Sequence, residues 1–260
     1  METKFRPVGF FDSGVGGISV LKEAVRILPH ENYIYLGDNA HAPYGDKSED
    51  LIREYSLSCA DFLFKHDAKT IVIACNTATS IAVKEMREKY NIPVISIEPA
   101  VKPALEASDE GKVVVMATPA TLSQQRYMLL LEKLGNSDRV INVPCEGLAD
   151  IIEKNDPDSE IVSDYVRKKL CDHSGEEISG IVLGCTHYSF IGKQISDAAE
   201  DIFGRKTEIF DGRYGVARQL KRVLEEEGIA NNEGRSDIEF YASGDQDEVG
   251  LFRKFLDIGL

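Results

Sequence analysis

The stretch Ile71-Val72-Ile73-Ala74-Cys75 recurs later in the chain as Ile181-Val182-Leu183-Gly184-Cys185. Each copy places three branched apolar residues and one small residue before a cysteine. Hydrogen-bonding side chains follow both cysteines, and a segment of helical period comes next. An uninterrupted apolar run of this length is typical of a strand that is covered on both faces, as in a parallel sheet. The repeat therefore predicts two related α/β halves.

Short β-branched or aromatic runs alternate with amphipathic segments along the rest of the chain, which indicates parallel sheets with helical crossovers. The predicted strands are Val8–Phe11, Tyr33–Leu36, Thr70–Ala74, Pro93–Ile97, Val113–Ala117, Val140–Val143, Gly180–Leu183, Glu208–Phe210 and Ile238–Tyr241. We predict an α/β fold of two pseudo-symmetric parallel-sheet lobes, with the functional site in the cleft between them. Lobe one is assigned to residues 1–98 plus 211–260, and lobe two to residues 99–210.

Composition and charge narrow the class of partner. The 260 residues carry a net charge of −14, which repels nucleic-acid phosphates and anionic lipid surfaces. The sequence contains no apolar run long enough to span a bilayer and no secretory h-region near its start. Its five cysteines form no C-x-x-C pair, which fits a reducing compartment. We expect a cytoplasmic protein that binds neither nucleic acid nor membrane.

Polar residues follow the strands Val8–Phe11 and Val113–Ala117, each of which lies upstream of a cysteine strand. They are Asp12 and Ser13 in the first half and Thr118 in the second. Ligands of parallel sheets bind beyond the carboxyl ends of the strands, so both cysteines are expected at ligand-facing edges. Glycines after Asp12 suit a tight turn and an anion at a helix N-terminus. A dinucleotide fingerprint would need glycine where Ser19 stands, and a Walker A lysine is missing. We therefore expect the turn that follows Asp12 to bind a small polar ligand rather than to serve only as a connection between a strand and a helix.

The cysteines also have simpler interpretations. Cys59 and Cys171 fall on helical segments and are interpreted as buried structural thiols, and Cys145 as a structural thiol. The repeated context of Cys75 and Cys185 favours a functional role for both. A zinc site formed by these two thiols and His187 matches no usual structural-zinc spacing. His187 is predicted either to polarise Cys185 or to serve as a hydrogen-bonding group at a helix end.

With these residues assembled, the chain resembles the glutamate racemases of bacterial cell-wall synthesis, a cofactor-independent family. The resemblance covers nearly the whole chain through ordered strings, each weak alone: Asp12-Ser13-Gly14-Val15-Gly16-Gly17, Pro43-Tyr44-Gly45, Ala74-Cys75-Asn76-Thr77-Ala78, Thr118-Pro119-Ala120-Thr121, Gly184-Cys185-Thr186-His187-Tyr188 and Phe240-Tyr241-Ala242-Ser243-Gly244-Asp245. The related aspartate racemases share the two-cysteine plan but not this combination of strings.

The resemblance implies a reaction and a set of site residues. Cys75 would be the base for D-glutamate and Cys185 the base for L-glutamate, with Asp12 and His187 as their helpers and Glu153 orienting His187. The implied substrate contacts are Asp12, Ser13, Tyr44, Gly45, Asn76, Thr77, Thr118, Thr121, Thr186 and His187. Neither a metal nor another cofactor is expected. D-glutamate would supply peptidoglycan synthesis, and members of the family are often homodimers.

The chain departs from the family at three positions that flank these motifs. Many members carry Arg where His41 stands, and Pro where Glu146 and Ser189 stand, which leaves fine substrate contacts or regulation open. No long N-terminal extension precedes the first strand, so activation by a cell-wall precursor is not expected. Two other functions remain open. One is a cysteine hydrolase that uses Cys185 and His187, and the other is a dicarboxylate-binding protein without catalysis.

Overall fold

The computed structural model describes residues 2–259, which divide into two compact units. Unit one consists of residues up to Ile97 together with Arg213–Ile258, and unit two consists mainly of Glu98–Gly212. Nine strands lie within the described residues: β1 Val8–Asp12, β2 Tyr33–Gly37, β3 Thr70–Ile73, β4 Val94–Ser96, β5 Lys112–Ala117, β6 Val140–Pro144, β7 Ile178–Leu183, β8 Glu208–Asp211 and β9 Ile238–Ala242. Each predicted strand is confirmed, and every strand end lies within two residues of its predicted position.

Helices connect the strands, so that successive strands run parallel. Their bounds are α1 Ile18–Ile27, α2 Glu49–Lys65, α3 Asn76–Lys89, α4 Val101–Glu106, α5 Pro119–Ser123, α6 Gln125–Leu134, α7 Leu148–Lys154, α8 Glu160–Cys171, α9 Gly192–Phe203, α10 Gly212–Glu226 and α11 Val249–Asp257. Local chemistry sets these ends. Ser48 caps α2 by accepting the Leu51 backbone N–H, and two acidic residues in the first turn complement the positive end of the helix dipole.

The sheet of unit one has five parallel strands in the order β4-β3-β1-β2-β9. Every residue of β1, β2 and β3 is buried, because helices cover both faces of the sheet. The sheet of unit two has four parallel strands in the order β6-β5-β7-β8. Its two central strands, β5 and β7, are likewise buried almost throughout.

The two sheets share one connectivity. In each unit the chain first adds a strand on one side of the starting strand and then crosses to its other side, which gives β2-β1-β3-β4 in unit one and β6-β5-β7-β8 in unit two. Strand β9 extends unit one beyond this common set. The predicted fold class, two related parallel-sheet α/β lobes, is confirmed.

The interpretation of Cys171 as a buried thiol is wrong, because its side chain is exposed. The buried face of α8 consists of Val162, Val166 and Leu170, which recur every four residues. Cys171 lies one position beyond this series and is rotated about 100° away from the buried face. Cys59, by contrast, is buried on α2. Within residues 2–259, no helix has the length and apolarity needed to cross a bilayer.

Candidate active site

The strand order reverses at one point in each sheet, between β1 and β3 in unit one and between β5 and β7 in unit two. In open α/β sheets such a reversal opens a crevice beyond the carboxyl ends of the strands, because the flanking connections leave toward opposite faces. The polar residues predicted from the sequence stand at these points. Asp12 ends β1, Thr118 follows β5, and Cys75 and Cys185 follow β3 and β7.

Both cysteines are held in the same register against the neighbouring strand. Ala74 donates its backbone N–H to the Phe11 carbonyl at 2.9 Å, and Gly184 donates its N–H to the Met116 carbonyl at 2.7 Å. Each donor directly precedes a cysteine, so the two strand ends present a thiol at equivalent positions. The residue after Phe11 is Asp12, whereas an alanine occupies the corresponding place in unit two. Only unit one therefore carries a carboxylate at this position.

Cys75 lies at the N-terminus of α3, where its side chain is almost fully buried. Its sulfur accepts the Ala78 backbone N–H at 3.4 Å and lies 3.7 Å from the Ser13 hydroxyl oxygen, to which the thiol donates. The first turn of a helix presents unsatisfied N–H groups and a positive partial charge. The helix N-terminus therefore favours an anion bound beside Cys75.

Asp12 is fully buried and is held by the first turn of the following helix. Its Oδ2 atom accepts the Gly17 backbone N–H at 2.8 Å. A Cβ at position 17 would lie 2.6 Å from the Asp12 Cβ and 2.9 Å from the Ala74 Cβ, so only glycine lets the helix approach this closely. The glycine-rich turn therefore fixes the carboxylate between the ends of β1 and β3.

Asn76 provides a polar group that the described residues leave unsatisfied. It directly follows Cys75 and is buried, yet neither its Oδ1 nor its Nδ2 atom has a hydrogen-bond partner within residues 2–259. A buried amide without partners costs about 1–3 kcal/mol. A ligand with both acceptors and donors, such as an amino acid, would recover this cost. Thr77, the next residue, is also buried.

Tyr44 and Gly45 form a short 3₁₀ turn with Asp46, and the Tyr44 ring is buried. The Tyr44 hydroxyl donates to Asp38 Oδ2 at 2.5 Å. The pKa of Tyr44 is raised, first by burial and then by the neighbouring Cys59 thiol and the Asp38 carboxylate. The sequence analysis did not single out Asp38. The available signal was an acidic residue directly after β2, the strand beside that of Asp12.

In unit two, Cys185, His187 and Glu153 form a chain of contacts. The Cys185 sulfur lies 3.7 Å from His187 Nδ1, and His187 Nε2 lies 2.6 Å from Glu153 Oε1. Glu153 belongs to α7, whereas the other two residues open the 3₁₀ turn that follows β7. A carboxylate accepts hydrogen bonds only, so Nε2 carries a proton in this arrangement.

The charge state of His187 follows from its two partners. Burial lowers its pKa, but the hydrogen bonds to Cys185 and Glu153 and the charges of both groups outweigh burial and hold the pKa well above its usual value. The raised pKa favours the imidazolium form of His187, in which Nδ1–H is directed at the Cys185 sulfur. A cation in this place can stabilise a thiolate or return a proton to it.

The remaining predicted contacts of unit two lie around the ends of β5 and β7. Thr118 caps α5, accepting the Thr121 backbone N–H at 3.2 Å and donating its hydroxyl to Thr121 Oγ1 at 3.0 Å. Thr186 directly follows Cys185 and is buried. These hydroxyls place several dipoles at the strand ends of unit two.

Cys145 is a further buried thiol of unit two, directly after β6. Its backbone N–H donates to the Ala117 carbonyl at 2.9 Å, and the Tyr188 hydroxyl donates to its carbonyl oxygen at 3.3 Å. Burial raises the pKa of Cys145 to about 12. It therefore remains a neutral thiol and is unsuited to act as a base.

The three departures from the family pattern have different surroundings. Glu146 lies at the surface, where its carboxylate pairs with Lys169 at 2.7 Å. Ser189 is buried and donates its hydroxyl to Asp211 Oδ2 at 2.6 Å, at the end of β8. His41 contacts Asp38 in the segment that carries Tyr44. No group of three or more His, Cys, Asp or Glu side chains among residues 2–259 is arranged to hold a metal.

The chain is similar to known racemases over nearly its full length. A sequence model described as Asp/Glu/hydantoin racemase matches residues 13–213. A glutamate racemase of Clostridium perfringens strain ATCC 13124 is 48% identical over 261 aligned positions, which cover 99% of this chain and 98% of that protein.

The fold of this chain is also similar to solved structures of glutamate racemases. The crystal structure of glutamate racemase isoform RacE1 from Bacillus anthracis matches with a TM-score of 0.85 and 30% identity, covering 97% of this chain and 92% of the other. The glutamate racemase of Francisella tularensis, crystallised with D-glutamate, also matches with a TM-score of 0.85 and 30% identity, over 97% and 94% of the two chains.

Proposed function

Since the chain belongs to the Asp/Glu/hydantoin racemase family, we propose that it is a glutamate racemase that interconverts L-glutamate and D-glutamate. One observation carries the proposal: each unit presents a cysteine at the equivalent point of the same strand arrangement. Inverting an α-carbon requires proton removal on one face and proton delivery on the other. A pair of equivalent thiols suits this task, because each can act as a base when ionised and as an acid when neutral.

In this mechanism Cys75 acts on one face of the α-carbon and Cys185 acts on the other. In the direction from D-glutamate, the Cys75 thiolate takes the α-proton, and the electron pair of the broken C–H bond moves into the α-carboxylate. The Cys185 thiol then gives its proton to the opposite face. Cys75 ends as a thiol and Cys185 as a thiolate, so protons and charge balance. The L to D direction reverses each step.

The two thiols have different helpers in this mechanism. The His187 imidazolium donates toward the Cys185 sulfur, and Glu153 fixes the ring through Nε2. Asp12 is buried beside the Cys75 strand end, where an anion disfavours a thiolate. Asp12 therefore acts as a proton acceptor or as the partner of the substrate ammonium group.

Fixed dipoles stabilise the charge that develops on the α-carboxylate, and no cofactor is needed. The donors are the N-terminal N–H groups of α3, the Asn76 amide and the hydroxyls of Ser13, Thr77, Thr121 and Thr186, while Thr118 orients the Thr121 hydroxyl. Donors held in place in a site with little water are worth several kcal/mol each in such a step. Because the Tyr44 ring is buried, the Tyr44–Gly45 segment offers its backbone to the substrate side chain.

The product fits the cell-wall role implied by the family resemblance. We propose that the protein works in the cytoplasm as a homodimer and supplies D-glutamate for peptidoglycan synthesis. The net charge of −14 fits a small-molecule substrate better than a polyanionic partner.

Proton NMR in D₂O without added cofactor tests the activity directly. L-glutamate and D-glutamate are incubated separately with the protein, and optical rotation is followed in parallel. We expect the α-proton signal to disappear and the rotation to decay to zero from both enantiomers. A folded sample that leaves both signals unchanged would contradict the proposal.

Single cysteine variants separate a racemase from the alternatives. Cys75→Ser and Cys185→Ser should each lower kcat for racemisation by a factor on the order of 10² to 10⁴, since each removes an acid/base group. Cys171→Ser is the matched control, because this thiol is exposed at the end of α8. A cysteine hydrolase would keep its activity in Cys75→Ser, and a binding protein would keep its affinity for glutamate in both site variants.

A further inference from the structure

The segment between β2 and α2 is anchored to the strand of Asp12. Asp38 directly follows β2 and donates its backbone N–H to the Asp12 carbonyl at 2.9 Å. Two 3₁₀ turns follow, Asn39–His41 and Tyr44–Asp46. The position of the second turn therefore depends on how the segment is held after it leaves the sheet.

The buried carboxylate of Asp38 ties both turns together. Its Oδ2 atom accepts the Tyr44 hydroxyl at 2.5 Å, and its Oδ1 atom lies 2.9 Å from His41 Nδ1. Because an ionised carboxylate only accepts, Nδ1 of His41 carries the proton. Each carboxylate oxygen of Asp38 thus binds a residue of one 3₁₀ turn. The hydrogen bond from His41 orients the carboxylate that accepts the Tyr44 hydroxyl.

His41 also makes an aromatic stacking contact, in addition to its hydrogen bond with Asp38. Its imidazole stacks on the Tyr55 ring of α2, with centroids 3.7 Å apart and planes 14° from parallel. The His41 side chain is 39% exposed, so it contributes little to the hydrophobic core. Its contacts are therefore suited to orienting the segment rather than to stabilising the unit.

Tyr44 connects this arrangement to the candidate base. Tyr44, Cys59 and Cys75 belong to one cluster of buried side chains in unit one. Cys75 and Asp12 themselves are held by strand ends and helix N-termini that do not involve His41. A disturbance at His41 should therefore move the Tyr44–Gly45 turn and leave the acid/base groups in place.

We propose that His41 is a positioning residue for glutamate, which fixes Asp38 so that the backbone of the Tyr44–Gly45 turn receives the substrate side-chain carboxylate. This inference rests on the proposed racemase function. It predicts a change in KM with little change in kcat. A residue needed only for folding would instead lower the amount of active protein and leave KM unchanged.

Three variants separate the hydrogen bond from the ring contact. His41→Phe keeps a ring to stack on Tyr55 but has no donor for Asp38. His41→Asn keeps a donor close to the place of Nδ1 but has no ring. His41→Arg keeps a planar donor group that can reach Asp38 and lie on Tyr55. His66→Phe is the matched control, since His66 also stacks on an aromatic ring in unit one, that of Phe62 at 3.9 Å, away from Asp38.

The assay measures KM and kcat for both glutamate enantiomers. In His41→Phe we expect KM to rise about 3- to 10-fold, the loss expected for a partly exposed hydrogen bond to a charged group, with kcat within a factor of about two. His41→Arg should restore the KM of the parent protein, His41→Asn should retain most of the affinity, and His66→Phe should change neither constant.

The outcomes distinguish this inference from the proposed function. An unchanged KM in His41→Phe, or a KM in His41→Arg or His41→Asn as high as in His41→Phe, would overturn the inference while the parent protein still racemised glutamate. A fall in kcat with an unchanged KM would also overturn it. A folded parent protein that is inactive on glutamate would overturn the proposed function, and this inference with it.

Discussion

Replacing Glu153 by Gln removes the charge that faces His187 and keeps the size of the side chain. The two interacting atoms lie 2.6 Å apart, and both side chains are largely buried, with exposed fractions of 5% for His187 and 22% for Glu153. Unit charges about 4 Å apart interact with about 4 kcal/mol at an effective dielectric constant near 20. Glutamine keeps one hydrogen bond but loses this charge interaction, so we expect the pKa of His187 to fall, with the charge interaction as the upper limit of the change.

The pKa of His187 is measured by NMR of protein labelled with ¹⁵N in its imidazole rings. The chain contains five histidines, and a His187→Asn spectrum identifies the signal. In the parent protein the ring should remain an imidazolium through neutral pH, because the pKa is raised. In Glu153→Gln the midpoint should move to lower pH, while the hydrogen bond to Cys185 still raises it. The alkaline limb of the kcat/KM profile should move in the same direction, since the imidazolium is the form that serves Cys185.

The same change alters how stability depends on pH. A group whose pKa is higher in the folded state adds stability that is fully present below its unfolded pKa, near 6.5, and is lost as pH rises through its folded pKa. The parent protein should therefore lose His187-linked stability as the pH rises from about 6.5 toward the raised folded pKa, and Glu153→Gln should lack the part of this contribution that comes from the carboxylate. Chemical denaturation at a series of pH values measures it.

Glu146→Gln is the control, because this carboxylate makes an ion pair of similar length at the surface of the same unit. It should leave the His187 midpoint unchanged and alter stability by no more than about 1 kcal/mol. The reasoning is refuted if the His187 midpoint in Glu153→Gln coincides with that of the parent protein. It is also refuted if Glu146→Gln moves the midpoint equally.

Three further predictions concern other parts of the molecule. The two enantiomers have equal free energies, so Asp12→Asn must lower kcat/KM equally in both directions. If Asp12 assists Cys75 rather than Cys185, the variant should show a larger primary isotope effect with 2-deuterated D-glutamate than with 2-deuterated L-glutamate. Equal isotope effects would count against Asp12 as the helper of Cys75. Gly184→Ala would place a Cβ 2.6 and 2.8 Å from two atoms of the neighbouring strand and should destabilise the protein by about 1–3 kcal/mol, whereas Gly192→Ala, with no atom within 4 Å, should not; urea denaturation compares them. Lys69→Met leaves the buried Glu31 carboxylate without its ion-pair partner and should cost about 3–5 kcal/mol, and adding Glu31→Leu should recover much of that loss.

The local sequence was sufficient to predict the strands and their burial. Runs such as Val113–Met116 have no polar alternation, so their burial on both faces was predictable, and all four residues are buried. The repeated cysteine pattern also predicted two related sheets, because it marks the same strand end twice. These features depend on residues next to one another in the chain, and the sequence displays such residues directly.

The surroundings of the site residues depend on contacts between distant segments. Glu153 and His187 were paired in the sequence analysis through a family resemblance, and their 2.6 Å contact joins residues 34 positions apart. Nothing in the sequence indicated that Asp38 would hold both Tyr44 and His41, or that the Tyr44 ring would point inward. The exposure of Cys171 was also missed, because the face that a helix buries is set by what packs against it.

The sequence by itself thus determined the strands, their alternation with helical segments and the two thiol-bearing strand ends, since each follows from the pattern of neighbouring side chains. The tertiary structure decided the strand order, which brings the ends of β1 and β3 together and places Asp12 and Ser13 at the same sheet edge as Cys75. It also decided the charge of His187, which depends on burial and on a carboxylate from another helix. Strand order and pKa are properties of pairs of segments, and they arise only when the chain has folded.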